Sequence, residues 1–191
     1  MTRKTARGRD ASSPPVFILT GPPQGGKTTH LHKILSFLGN RGYNLNGFIT
    51  HGLMEEGIRT GFVLETIPTG ECIHLCGTTP SPDTVRWRRF YFSNEGIEVG
   101  IRALSDNGPH RPELTIVDEV GPFELQGGVW APYLDKIVFV YPRPLLLVVR
   151  ETLVDAVIER WRLSDPHILQ IPLDASLAAR MISEEIVEWK R

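Results

Sequence analysis

Cysteine is scarce in this chain of 191 residues, which has only Cys72 and Cys76. Two thiols cannot frame a disulfide scaffold, so the fold must rest on a hydrophobic core. Their CxxxC spacing encloses His74 but lacks a second ligand pair, so they read as small buried or half-buried thiols rather than a zinc site. His51, His74, His110 and His167 are scattered and show no ligand spacing. An excess of charge is lacking too. The 21 Lys and Arg face 22 Asp and Glu, for a net charge of −1. That balance gives no strong nucleic-acid signal, because no basic field covers the whole molecule. No apolar run is long enough to cross a bilayer. The best, 137–150, is broken by Pro142, Arg143 and Pro144. A soluble, cytoplasmic protein with no membrane partner is the expectation.

The first residues differ from the rest. Arg3, Lys4, Arg7 and Arg9 stand against Asp10 alone, and no apolar segment of a secretory signal follows. Residues 1–14 read as a disordered basic tail, or as an arm touching phosphate or a partner. Residues 15–191 read as one domain, a length suited to a single core.

What the chain does have is an alternation of short apolar runs and helical periods. Val16-Phe17-Ile18-Leu19-Thr20 is a buried-strand pattern. Leu31, Ile34, Leu35 and Leu38 recur at helical spacing and stop near Gly39-Asn40. Strand-like runs follow at 48–50, 61–65, 72–75 and 89–92, with a turn at 68–71. These predict an antiparallel hairpin insert rather than a βαβ crossover. Residues 94–105 read as a helix ended by Asn107-Gly108-Pro109. Strands are then expected at 114–117, 145–149 and 168–171, and helices at 130–140, 152–161 and 176–189. The pattern predicts a three-layer α/β fold, with a mostly parallel sheet and helices on both faces.

Between the first strand and the first helix, Gly21-Pro22-Pro23-Gln24-Gly25-Gly26-Lys27-Thr28 matches GxxxxGK[ST], the phosphate-binding loop. Gly21 permits a tight exit from the strand. Gly25 and Gly26 let backbone N–H groups approach phosphate oxygens, and the helix start aims unpaired N–H groups at the same place. Gly21, Gln24, Gly25, Gly26, Lys27, Thr28 and Thr29 are the expected nucleotide contacts. Lys27 is expected on the β- and γ-phosphates, and Thr28 on Mg²⁺. Asp118 closes the strand at 114–117, where a carboxylate meets the metal. Glu119 follows and can orient and polarise an attacking water. Arg59, Arg86, Arg88, Arg89 and Arg150 are candidates for the charge on a γ-phosphate in transit, and Arg150 ends the most apolar strand. The cluster Arg86-Trp87-Arg88-Arg89 could stack a base, form a lid, or be a solvated surface run.

Val117-Asp118-Glu119-Val120-Gly121-Pro122-Phe123-Glu124-Leu125 resembles the IDEIGpME signature of the cancer-related nucleoside-triphosphatase family, P-loop proteins with a catalytic glutamate. Gly47-Phe48-Ile49-Thr50 resembles that family's GFxT strand, and Gly57-Ile58-Arg59-Thr60-Gly61-Phe62 its GxRxGF hairpin. The resemblance implies a RecA-like core and Mg²⁺-dependent hydrolysis of several nucleoside triphosphates. It implies Lys27 on phosphate, Thr28 and Asp118 on the metal, Glu119 on the water, and supports Arg59 as a catalytic arginine. The chain departs from the family at 52–55, where an arginine-bearing run is usual, and around 171–174, where an NRD-like element is absent.

Three functions share this loop. The first is a stand-alone triphosphatase acting on ATP or GTP. The second is a kinase of a nucleotide or small molecule, with the Arg86–Arg89 cluster as a lid. The third is a nucleotide-dependent switch with a protein partner. Glu119 directly after Asp118 favours water as the acceptor. No NKxD run selects a base.

Overall fold

The computed structural model describes residues 13–67, 69–105 and 111–191. Nearly all of the basic tail, the helix-ending Asn107-Gly108-Pro109, His110 and Pro68 lie outside the described residues.

The strands are β1 (Val16–Gly21), β2 (Leu45–Glu55), β3 (Ile58–Thr66), β4 (Cys72–Gly77), β5 (Thr84–Trp87), β6 (Phe90–Ser93), β7 (Leu114–Val120), β8 (Leu145–Arg150) and β9 (His167–Gln170). The helices are α1 (Lys27–Gly39), α2 (Asn94–Leu104), α3 (Pro122–Leu125), α4 (Ala131–Phe139), α5 (Val154–Trp161) and α6 (Ala175–Trp189). No helix among the described residues is long and apolar enough to cross a membrane.

The nine strands form one sheet in the order β5-β6-β4-β3-β2-β7-β8-β1-β9. Neighbours from β2 to β9 pair parallel, and neighbours from β5 to β2 pair antiparallel. The sheet is therefore mixed in equal parts rather than mostly parallel. The antiparallel segment expected from the sequence is present, and it continues the parallel sheet. The reason is the length of β2, eleven residues rather than the three read from sequence. Its start, Leu45 to Phe48, pairs with β7, and its register with β3 runs from Phe48 to Glu55. One long strand thus welds the two halves.

The parallel strands are buried on both faces, as crossover connections require. Phe17, Leu19, Leu146 and Val148 join one core with Leu31, Ile34 and Leu38 of α1 and Ala178, Ala179, Ile182 and Ile186 of α6. Ile18, Leu145, Leu147 and Val149 join the other, with Val99 of α2, Leu134 and Ile137 of α4, and Val157 and Trp161 of α5. The period-two split of neighbouring strand residues between the two cores makes the three layers. Each fully buried Leu, Ile or Val contributes about 1.5–3 kcal/mol. That burial fixes the carboxyl ends of β1, β7 and β8 beside one another.

Candidate active site

β1 ends at Gly21, where the backbone is crowded: a Cβ there would stand 2.3 Å from Ile171 Cγ1. The chain then turns on Pro22, whose carbonyl accepts from the Gly25 N–H at 3.1 Å. Gln24 and Gly26 both have positive φ, 56° and 82°. Such a turn leaves successive N–H groups on its concave side, an anion-binding nest. Gly26 caps α1 without any side-chain hydrogen bond, so the first N–H groups of the helix face the same hollow. Lys27 leans over the loop and donates to the carbonyls of Gly21 at 3.2 Å and Pro22 at 3.0 Å. Gln24 and Thr29 are exposed on the rim.

Across this hollow stands the end of β7. Asp118 is 2% exposed, and Thr28 Oγ1 donates to its Oδ2 at 3.3 Å. The N–H of Thr50 in β2 also bonds this carboxylate. Burial pushes the Asp118 carboxyl up to about 7, and the neighbouring Glu119 charge adds to the rise. Hydrogen bonds from Thr50 and Thr28 and the Lys27 charge oppose it. A buried carboxylate beside a hydroxyl is a hard oxygen pair short of positive charge, which suits Mg²⁺ rather than a softer ion.

The ladder between β7 and β8 shifts register between Asp118 and Val120, and the Asp118–Glu119 peptide is cis. Glu119 is only half-buried, and its Oε1 receives Arg150 Nε at 2.5 Å. Arg150 ends β8, in register with Gly21 of β1. The guanidinium therefore ties the end of β8, beside the loop strand, to Glu119. Behind them, Glu124 of α3 is 5% exposed and accepts from the Gly121 N–H at 2.8 Å. Burial pushes its carboxyl up to about 7 against the Gly121 hydrogen bond, and the Glu119 charge raises it further.

The fold thus gathers Gly21, Gln24, Gly25, Gly26, Lys27, Thr28, Thr29, Asp118 and Glu119 into one crevice. Arg59 stands apart from this cluster. Its guanidinium covers the Phe62 ring at 5.0 Å and lies against Gly52, within the hairpin of β2 and β3. Arg86, Arg88 and Arg89 cover Tyr91, Trp87 and Phe90 in the β5–β6 hairpin. Trp87 itself stacks on Phe123 of α3, with centroids 4.3 Å apart and planes 10° from parallel. Sequence reading had no means to pair Arg150 with Glu119, 31 residues apart; the terminal position of both on adjacent strands was the available signal. Cys72 is exposed, and Cys76 is buried with its thiol pushed up to about 12 by burial, so it is no nucleophile.

A family model described as NTPase matches residues 16–175, most of the chain. The chain belongs to the NTPase family. It is a nucleoside-triphosphatase, a hydrolase. This NTPase is 31% identical over 139 residues to nucleoside-triphosphatase THEP1 of Thermofilum pendens, covering 71% of this chain and 73% of that protein. It is 27% identical over 176 residues to THEP1 of Methanopyrus kandleri, covering 90% of this chain and 95% of that protein. Two solved structures share its fold. One is the solution structure of a human cancer-related nucleoside triphosphatase, with TM-score 0.63 and 21% identity over 91% of this chain and 96% of that one. The other is the crystal structure of THEP1 from Aquifex aeolicus, with TM-score 0.59 and 22% identity over 92% and 99%. The NTPase keeps its loop and its two carboxylates within the matched region.

Proposed function

We propose that this NTPase hydrolyses the β–γ anhydride of ATP, GTP and related nucleoside triphosphates in a Mg²⁺-dependent reaction at the crevice between the phosphate loop and the end of β7. The observation that carries this reading is the Thr28–Asp118 contact at 3.3 Å, with Glu119 next in the chain. The N–H groups from Gln24 to Thr28 and the Lys27 ammonium hold the phosphates. Thr28 and Asp118 hold the metal, which when bound neutralises phosphate charge and orients the terminal group. Glu119 accepts a proton from water as its oxygen adds to the γ-phosphorus. The bond to the bridging oxygen breaks, giving nucleoside diphosphate and phosphate. Phosphoryl transfer demands placement and charge more than covalent chemistry, and this crevice supplies both.

Arg150 fixes the Glu119 carboxylate and ends the strand paired with the loop strand, so it is our first candidate for the charge on the γ-phosphate. Arg59 serves from the hairpin in the same reading, and must leave Phe62 to do so. We also read the five parallel strands, with β8 between the loop strand and the carboxylate strand, as the RecA-like core, and a cytoplasmic setting as the place of work. Broad base specificity is part of the same reading and rests on the family resemblance.

The test is phosphate release with Mg²⁺ and ATP or GTP. Glu119→Gln should lower turnover by about 10²–10⁴-fold, the usual worth of a positioned base, while nucleotide binding persists. Full turnover in that variant would remove the water-activating role.

A further inference from the structure

A second cluster of ligating side chains lies outside the crevice. His32 comes from α1, His51 from β2 and Glu65 from β3, and one ligand atom of each lies within 4.8 Å of the others. The sheet register explains the pairing. Ile49 faces Glu65 across the antiparallel ladder, and His51 is two residues along, so His51 and Glu65 are diagonal neighbours on one face. Ile49 packs into the core beneath α1, so that face is the α1 side. His51 Nε2 lies 2.6 Å from Glu65 Oε2. The His32 ring stacks on the His51 ring, with centroids 5.4 Å apart. His32 is exposed, so its side chain is free to turn its nitrogen toward the other two. His32 and Glu65 line a groove of about 550 Å³ between α1 and the first antiparallel strands, together with Leu35, Ser36, Tyr43 and Leu45, and His51 stands beside them.

We propose that His32, His51 and Glu65 form a metal site separate from the nucleotide crevice, selective for a divalent ion of the zinc class. Two imidazoles and a carboxylate are the donor set of such ions, while Mg²⁺ and Ca²⁺ take oxygen ligands. Bond lengths near 2.0–2.1 Å put neighbouring ligand atoms roughly 3.4 Å apart. The His51–Glu65 pair is already inside that distance, and a rotation of the exposed His32 closes the third side. Three protein ligands leave a fourth position facing the groove. The position in the chain gives the ion leverage. His32 is one helical turn beyond Thr28, and His51 follows Thr50, whose N–H holds Asp118. The ion would bolt together the two segments that carry the Thr28–Asp118 contact.

The test is a Co²⁺ titration of the untagged full chain, metal-free, without nucleotide and in excess Mg²⁺ so that the oxygen-only crevice is occupied. One Co²⁺ per chain should bind with the visible absorption of a four-coordinate ion and be displaced by Zn²⁺. His32→Ala, His51→Ala and Glu65→Ala should each weaken binding at least about tenfold, while Asp118→Asn leaves it unchanged. His32 is exposed, so its variant keeps the fold and makes the result readable. Absence of the four-coordinate spectrum would overturn the proposal, leaving His51 and Glu65 an ordinary surface pair. Undiminished affinity in His32→Ala, or loss in Asp118→Asn, would overturn it as well.

Discussion

The parallel and antiparallel halves of this sheet are built on different terms. In β1, β7 and β8 nearly every residue is buried, and the charged groups appear only where the strands end at the crevice. In β5 and β6 no residue is fully buried, and arginines lie over aromatic rings instead. The charged groups buried among the described residues, Asp118 and Glu124, both belong to the parallel side. Stability and chemistry are therefore concentrated together, because only a rigid, dry floor can hold a desolvated carboxylate against a phosphate loop. The β5–β6 hairpin at its edge is held by weaker, more exposed contacts, which suits an element that can shift without unfolding the rest. Breaking the joints between the halves tests this division.

The strongest joint is Gly47 in β2. Its φ is 105°, and a Cβ there would stand 1.9 Å from the carbonyl oxygen of Ile116 in β7. Its own carbonyl accepts from the Ile67 N–H, just past the end of β3. No side chain fits between two backbones at that separation. Gly47→Ala should cost more than about 4 kcal/mol, since strained backbone and overlap combine. Urea unfolding monitored by circular dichroism measures it. A loss below 1–2 kcal/mol on that scale would mean that β2 slides easily against β7 and that the halves are not welded there.

The next effect separates the halves by pH. Glu124 titrates near 4.5 in an unfolded chain and at about 7 in the fold. The fold therefore binds this proton more tightly than the unfolded chain does. Its contribution is complete below pH 4.5 and drains away as pH rises through about 7. Asp118 moves in the same direction in the metal-free protein, from 3.8 to about 7. Glu124→Gln keeps an acceptor for the Gly121 N–H but has no proton to lose. Metal-free variant and parent should differ in their stability change between these two pH values by up to roughly 3 kcal/mol. Equal slopes would show that Glu124 does not titrate in this window.

The division also explains what could be read from sequence. The phosphate loop and Asp118-Glu119 are short contiguous words, and strands buried on both faces announce themselves as unbroken apolar runs such as 145–149. The antiparallel side gives weaker signals. β2 continues past Thr50 through exposed residues with little alternation, so its true length was hidden. β5 has two exposed residues of four and reads as a charged surface run. The four-residue helix α3 is too short for periodicity to detect. Contacts that join distant segments, Arg150 with Glu119 or His32 with His51 and Glu65, depend on register. The equal mixture of parallel and antiparallel pairs follows from the unseen length of one strand.

The smallest effect is at the second joint, where Trp87 of β5 stacks on Phe123 of α3. Trp87 is half-buried on an edge hairpin, so its loss leaves no sealed cavity. Trp87→Ala should cost about 1–2 kcal/mol, less than a fully buried tryptophan, because only part of its burial and one ring pair are lost. The informative readout is local. Amide hydrogen exchange should speed up in β5 and β6 while β1, β7 and β8 keep their protection. Turnover should change less than in Glu119→Gln, since Trp87 stacks on Phe123, which adjoins Glu124, the acceptor of the Gly121 N–H. If protection instead falls equally across all nine strands, the hairpin is part of the same cooperative unit as the crevice, and the contrast between the halves is one of appearance rather than stability.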